Sequence, residues 1–286
     1  MGIKISTDST ADIPLALREE LNINVVGLPL MINGKEYLDG YDITPQDIYA
    51  HLDKDEKLPT HAQLPPFVYV EMFERFWREG YSELIHVTIN AKGSATYQTT
   101  LQAREMFFEA NPEARENYRI HIIDSRTYSM VYGWAVIEAA RMSKADKPSD
   151  EIIAFIEDWL ENVRVMFVPM SLRCVRKSGR VTAAAALIGD AMGLKPVITF
   201  EDGESKILAK VRGQKKVIAH VIDKVCRERR PGTPYAIARG SSDALAVQFR
   251  SACEAAIGEK PVVEYPLGCI ISINTGSDVL GILYRV

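Results

Sequence analysis

The sequence predicts an α/β fold of two domains, an N-terminal mostly parallel sheet flanked by helices and a C-terminal α+β domain. Three observations carry that expectation. Over the first 165 residues, short apolar runs ("GIKIST", "ELIHVTIN", "YRIHIID") alternate with helical stretches of about 10–15 residues, the pattern of βαβ units. Near Val165 the texture changes, and strands gather around an Asp202-Gly203 turn, a strong hairpin signal. At 286 residues, with 47% hydrophobic and 25% charged composition, the chain has ample core for two ordinary domains. The domains are therefore drawn at 1–165 and 166–286.

The elements follow in order. "GIKIST" reads as a strand and "DIPLALREEL" as a helix, with Asp12 as its cap and Pro14 near its first turn. "INVVGLPLMI" is strand-like, and "KEYLDG" adds a short hairpin arm. Helices are expected over 45–52 and 65–78, a strand at "ELIHVTIN", and a helix beginning near Ser94. A strand at "YRIHIID" precedes helices over 129–143 and 148–163. In the second half "RVMFVP" reads as a strand, "SLRCVRKSG" as a short helix ended by Gly179, and "AAAALIGDAMG" as another helix. "PVITFEDGESKILAKVR" forms the hairpin, followed by a helix over 215–229, the strand "PYAIARG", a helix over 243–257 and two or three closing strands.

Composition removes several functional classes. Net charge is −4 with no strongly basic segment, so the electrostatic footprint of a nucleic-acid binder is missing. Cys174, Cys226, Cys253 and Cys269 are far apart with no C-x-x-C, and the five His are scattered, so no zinc cage or other metal or cofactor site is expected. These thiols read as reduced core cysteines of a cytoplasmic protein. No apolar run approaches the ~20 residues of a membrane span. "MGIKISTDST" lacks a basic region followed by an apolar block, so no secretion signal is expected. A myristoylation pattern exists at Gly2 and Ser6, but Ile3 and Ile5 read better as the edge of a buried strand.

Three polar stretches fall where strands end: "STDSTAD", "NAKGSATY" and "DSRTYS". In open α/β sheets ligands collect at the carboxyl ends of strands, where helix N-termini present free N–H groups. Ser, Thr and Asp are also ordinary helix caps, so one such turn means little; three in one half-chain suggest a shared rim. Ser94 as a nucleophile lacks both a G-x-S-x-G elbow and an S-x-x-K pattern. With the N–H groups of Ala95 and Thr96 it makes a site for a phosphate or carboxylate. Neither a Walker A nor a G-x-G-x-x-G motif is present, so a nucleotide is not indicated. The stretches "HAQLPP", "RKSGRV", "KVRG" and "SINTGSD" are each unremarkable alone, as a loop, a helix end, a strand end and a turn.

Taken in order, these pieces resemble the DegV family of bacterial fatty-acid-binding proteins. The family's T-D-S-T-A-D-(I/L)-P is matched from Thr7 to Pro14 without a difference. Its P-x-T-S-Q-x-x-P is similar to Pro59 through Pro66, and its L-S-G-T-Y-Q to Gly93-Ser94-Ala95-Thr96-Tyr97-Gln98. The D-S-x-x-x-S run resembles Asp124-Ser125 through Ser129, and L-x-x-L-x-K-G-G-R-I resembles Leu172 through Val181. "GLKPVITFEDG", "KVRG" and the stretch from Ile273 to Gly281 extend the likeness over nearly the whole chain.

The resemblance implies a non-catalytic carrier of a long-chain fatty acid such as palmitate. Its carboxylate would sit between the two domains and its tail in an apolar tunnel, walled by "AAAALIGDAMG" and "VITF" of the second domain. The head-group residues it implies are Ser94 and Ala95, His61 and Ala62 in the other binding loop, and Asn274 with Thr275 near the C-terminus. Three of these positions depart from the family, where His61, Ala62 and Asn274 are replaced by Thr, Ser and His. One reading is that the imidazole has moved to position 61; the other is a changed ligand preference. Related proteins present the bound acid to a fatty acid kinase, and Arg180 and Arg212 are the positions expected to meet a phosphate or an acidic partner. Transient membrane contact is compatible with that role. The alternative from another class is a cleft enzyme, a hydrolase or transferase acting on an acyl or phosphorylated substrate. Ser94 or His61 would then work with Asp8 or Asp124 in acid–base roles.

Overall fold

The computed structural model describes residues 2–54, 57–181 and 193–286. The chain groups into two units: Met1–Leu30, Glu36–Tyr41 and His61–Glu161 form the first, and Met31–Lys35, Asp42–Thr60 and Asn162–Val286 the second. The sequence reading placed 31–35 and 42–60 in the first domain; by packing they group with the second.

The chain runs β1 (Ile3–Asp8), α1 (Leu15–Glu20), β2 (Asn24–Val26), β3 (Pro29–Ile32), β4 (Lys35–Leu38), α2 (Pro45–Lys54), β5 (Thr60–His61) and α3 (Pro66–Arg78). It continues with β6 (Glu83–Thr88), α4 (Thr96–Ala110), β7 (Arg119–Asp124), α5 (Met130–Lys144) and α6 (Ser149–Asn162). Then come β8 (Val163–Pro169), α7 (Arg173–Ser178), β9 (Leu194–Glu201), β10 (Glu204–Arg212) and α8 (Gln214–Glu228). The last elements are β11 (Tyr235–Arg239), α9 (Asp243–Ile257), β12 (Val263–Pro266), α10 (Cys269–Thr275) and β13 (Val279–Arg285).

In the first unit β1 is buried from Lys4 to Asp8, as a central strand covered on both faces must be. It pairs in parallel with β2 and β6, and β6 pairs in parallel with β7, in the order β2-β1-β6-β7. Helices α3 and α4 cover one face through Tyr69, Phe73, Phe76, Phe107 and Phe108. Phe107 anchors this layer, with edge-on ring contacts to Phe73, Trp77, Phe108 and Tyr118 at 5.1–6.1 Å. Helix α5 is apolar nearly all round and is buried from Met130 to Val136, as such a helix requires. Trp159 of α6 packs near it and donates its Nε1–H to Val131 O at 2.8 Å.

Two local expectations change here. Asp12 does not cap α1, whose N-cap is Pro14; it ends a 3-10 turn at Ser9–Ala11 in the left-handed conformation, φ 54°. The apolar run 23–32 is two strands, because Gly27 and Leu28 break it and Leu28 N–H donates instead to Ser9 Oγ at 3.2 Å. The hairpin arm is present as β3 and β4, in a small sheet ordered β4-β3-β5.

The second unit holds a six-stranded sheet ordered β10-β9-β8-β13-β11-β12, antiparallel except between β11 and β12. Asp202 (φ 50°) and Gly203 (φ 77°) both take left-handed conformations, the backbone a two-residue hairpin of right-twisted strands demands. Val217, Val221, Val225, Leu245 and Phe249 of α8 and α9 pack on Met166, Val168, Val197, Ile237 and Ile282. By strand alternation, Phe167, Ile198 and Phe200 point to the opposite face, where the two Phe rings stack at 5.6 Å. The sequence missed α10: its polar "SINT" end reads as a turn, but six of its seven residues are buried. The expected helix "AAAALIGDAMG" spans 183–193, of which 183–192 lie outside the described residues. Cys174, Cys253 and Cys269 are buried free thiols, whereas Cys226 is exposed, contrary to its reading as a core residue.

Candidate functional site

The order β2-β1-β6-β7 reverses direction between β1 and β6. The chain leaves β1 toward one edge and β6 toward the other, so the connections that follow them run in opposite directions from the strands' carboxyl ends. Ligands of open α/β sheets bind at such a point. Both loops come from the polar stretches singled out in the sequence.

Asp8 closes β1 and binds the two loops together. Its Oδ1 accepts from Thr10 N–H at 3.0 Å, from the Thr10 hydroxyl, and from Tyr132 O–H at 2.8 Å. Its Oδ2 accepts from Ile89 N–H, at the end of β6, at 2.8 Å. Burial pushes the Asp8 carboxyl above its ordinary value, against the pull of these donors, and pushes the Tyr132 phenol up as well. From β7, Asp124 Oδ1 accepts from Ala91 N–H and Arg126 N–H, both at 3.0 Å. Ser129 donates to Asp12 Oδ2 at 2.5 Å. The three stretches thus form one rim, as their number suggested.

Ser94 stands one residue earlier than a helix cap. The N-cap of α4 is Ala95, which has no side chain to cap with. Ser94 Oγ lies 2.9 Å from Thr96 Oγ1 and accepts from Thr96 N–H at 3.3 Å. Of the two amides expected to serve an anion, that of Thr96 is therefore engaged, while that of Ala95 has no acceptor among the described residues. Ser94 is half-buried and Ala95 exposed, so a hydroxyl and a free N–H stand together at the start of a 15-residue helix.

The His61–Ala62 loop belongs to the same unit and reaches α4 through Gln63, whose Nε2 donates to Thr99 Oγ1 at 3.3 Å. Ala62 was expected to offer its backbone N–H, but that group donates to Pro29 O at 3.0 Å. His61 is half-buried at the end of β5.

Asn274 and Thr275 belong to the second unit, in α10. Both side chains bond their own helix: Asn274 Nδ2 donates to Ile270 O at 2.7 Å, and the Thr275 hydroxyl to Ile271 O at 3.0 Å. Arg180 is exposed after the left-handed Gly179, its Nη1 donating to Ser178 O at 2.8 Å, and Arg212 is exposed at the end of β10. Of the expected tunnel walls, "VITF" is β9, with Val197 in the α8–α9 core and Ile198 and Phe200 on the other face.

No basic side chain hydrogen-bonds Ser94 Oγ among the described residues. Asp8 and Asp124, the acid–base partners of the enzyme alternative, are occupied in accepting backbone N–H groups. No group of three or more His, Cys, Asp and Glu able to hold a metal occurs among the described residues. None of the described helices is long and apolar enough to cross a membrane. An open cleft of about 780 Å³ lies at the other, amino-terminal end of the sheet. Its ammonium groups are already engaged: Lys4 by Asn22, Lys144 by Glu20 O and Lys147 by Glu151.

Sequence reasoning missed Asn90, Tyr128 and Tyr132. The quoted stretch contains Asn90, but nothing in the spacing of Tyr128 or Tyr132 marks them as partners of loops 38 and 124 residues away.

Behind the rim, His86 of β6 is wholly buried, with Nδ1 2.9 Å from Ser6 Oγ and its ring edge-on to Tyr69. Burial lowers its pKa from 6.5 to about 3. Between those values the unfolded chain binds a proton at this residue that the folded chain refuses. Stability is therefore complete above pH 6.5 and falls on acidification by up to about 1.4 kcal/mol per pH unit. Asp8, with its raised carboxyl pKa, has the opposite sign, and its window begins just above 3.8. Urea midpoints measured between pH 7 and 5 should fall in the wild type and stay nearly level in His86→Gln.

The same fold recurs in known proteins. A model of the DegV family, described as uncharacterised proteins, matches residues 2–286. A DegV domain-containing protein of Caldanaerobacter subterraneus subsp. tengcongensis is 33% identical over 288 residues, covering 99% of this chain and 98% of the relative. A DegV family protein of Thermus thermophilus, solved as a fatty-acid-binding structure, superposes with a TM-score of 0.86 at 24% identity, covering 100% of both chains. A stearic acid-binding protein of Eubacterium ventriosum gives a TM-score of 0.87 at 20% identity over 99% of this chain and 98% of that one. With one family model spanning both units, and the parallel and mixed sheets recurring in these structures, the chain belongs to the DegV family.

Proposed function

We propose that this protein binds one long-chain fatty acid of the palmitate type without transforming it, in the bacterial cytoplasm. The Ser94 hydroxyl and the Ala95 N–H receive the carboxylate, with the His61 imidazole as a third group of the head-group end. The tail occupies an apolar tunnel of the second domain, with Ile198 and Phe200 among its walls. The observation that carries the reading is the unengaged Ala95 amide beside the Ser94 hydroxyl at the switch point of the sheet. It is supported by structural neighbours described as fatty-acid-binding, one of them stearic acid-binding.

Energetics divide the ligand in two. Each buried methylene contributes roughly 0.8 kcal/mol, so a tail of about 14 contributes on the order of 11 kcal/mol before ordering costs. A neutral donor to a carboxylate adds about 1.5–3 kcal/mol net. The tunnel sets affinity, and Ser94 and Ala95 fix which end stays outside. A carrier with its carboxylate at the mouth presents that group to a second protein; a fatty acid kinase subunit is the partner of this class. Exposed Arg180 and Arg212 offer forked donors to a phosphate or an acidic surface.

Titration with palmitate tests the reading. Ser94→Ala should weaken binding by about 10- to 100-fold, the loss of one charge-assisted hydrogen bond, and cost about 1 kcal/mol of stability through the Thr96 N–H it leaves without an acceptor. Equal affinity in the two proteins would place the head group elsewhere.

A further inference from the structure

We propose that Tyr128 and Gly93 interlock to position the Ser94 turn, and that this interlock sets the preference for a carboxylate over an uncharged head group. The proposal rests on the fatty-acid reading above. Its centre is Asn90, fully buried after β6. Asn90 N–H donates to Thr127 O at 3.1 Å, and Asn90 O accepts from both Gly93 N–H and Ser94 N–H at 3.1 Å. Its side-chain Oδ1 accepts from Lys92 N–H at 3.1 Å, and its Nδ2 donates to Tyr128 OH at 2.8 Å. The orientation of the Asn90 amide therefore fixes the turn, and Tyr128 fixes the amide.

Gly93 is what lets the phenol reach that position. A Cβ there would lie 2.1 Å from Tyr128 OH and 3.0 Å from its Cζ, so any other residue at 93 requires the phenol to swing away from Asn90. The other end of Tyr128 is held with equal firmness. Its neighbour Ser129 adopts φ 60°, ψ −154°, a region nearly confined to glycine, and its hydroxyl is tied to Asp12 Oδ2 at 2.5 Å. Strain of this kind costs about 1–3 kcal/mol and persists only where the surroundings enforce it. A strained residue beside Tyr128 and a glycine that leaves room for its phenol mark a contact held to close tolerance. Since the Ser94 N–H is spent inside the turn, the donors left are the Ala95 N–H and the Ser94 hydroxyl, whose proton is available when Thr96 Oγ1–H donates to Ser94 Oγ. Their mutual placement decides whether both can donate to one carboxylate.

The test compares palmitate with hexadecanol, which has the same tail length and no charge. Tyr128→Phe removes one oxygen and no ring volume. It should raise the palmitate Kd about 10-fold, the effect of one misaligned hydrogen bond to a charged group, while hexadecanol changes by less than about 2-fold. Gly93→Ala should weaken palmitate at least as much, and the Gly93→Ala/Tyr128→Phe double variant should bind like the weaker single rather than as the product of the two. Equal losses for both ligands would show a merely structural role and overturn the proposal, as would unchanged palmitate binding in Tyr128→Phe while Ser94→Ala binds poorly. If Ser94→Ala also leaves palmitate binding unchanged, the fatty-acid reading itself has failed.

Discussion

Asp8→Ala should destabilise the first unit by about 3–5 kcal/mol, because each buried donor left without an acceptor costs about 1–3 kcal/mol. The carboxylate is fully buried and serves two backbone amides, Thr10 and Ile89, that have no alternative in the structure. The Thr10 and Tyr132 hydroxyls can still bond each other across 2.8 Å, so their share of the loss is smaller. Asp8→Asn gives a graded result. Its carbonyl can face Thr10 and Tyr132, but its amide group then points N–H at the Ile89 N–H, and a cost of about 1–3 kcal/mol remains. Urea unfolding with an unchanged slope reads both values. Hydrogen exchange should place the first opening at Ile89 and the Ser94 loop. An Asp8→Ala protein within about 1 kcal/mol of wild type would mean that Asp8 does not hold the rim together.

The parallel sheet was legible because its strands are short, apolar and separated by helical periodicity. The rim was legible because Ser, Thr and Asp gather at strand ends. What lay hidden depends on contacts between segments far apart in the chain. Asp12 has the residue type of a helix cap, yet the 3-10 turn before it takes the capping geometry and leaves α1 to Pro14. Ser94 also looks like a cap. Its loop is one residue longer because Asn90 gathers Gly93 and Ser94, so the helix opens at Thr96. Helix α10 was invisible because "SINT" is polar, and its Asn and Thr are satisfied by carbonyls one turn back rather than by solvent. The grouping of 31–35 and 42–60 with the second unit follows from packing that no local pattern encodes.

The second large effect concerns the tail. If burial of methylenes supplies most of the affinity, a protein whose polar donors stay fixed should discriminate steeply among saturated acids of different length. Four methylenes are worth about 3 kcal/mol gross, and ordering the longer chain returns part of it, which leaves about 20- to 200-fold in Kd per four carbons. The head-group variants should shift the whole series by one factor and leave its slope intact. Titration of the wild type with octanoate, laurate and palmitate is the most direct measurement. The proposed function predicts one site per chain and a Kd that falls at each step by that factor. Saturation by octanoate as tightly as by palmitate, or no stoichiometric binding of palmitate at all, would contradict it.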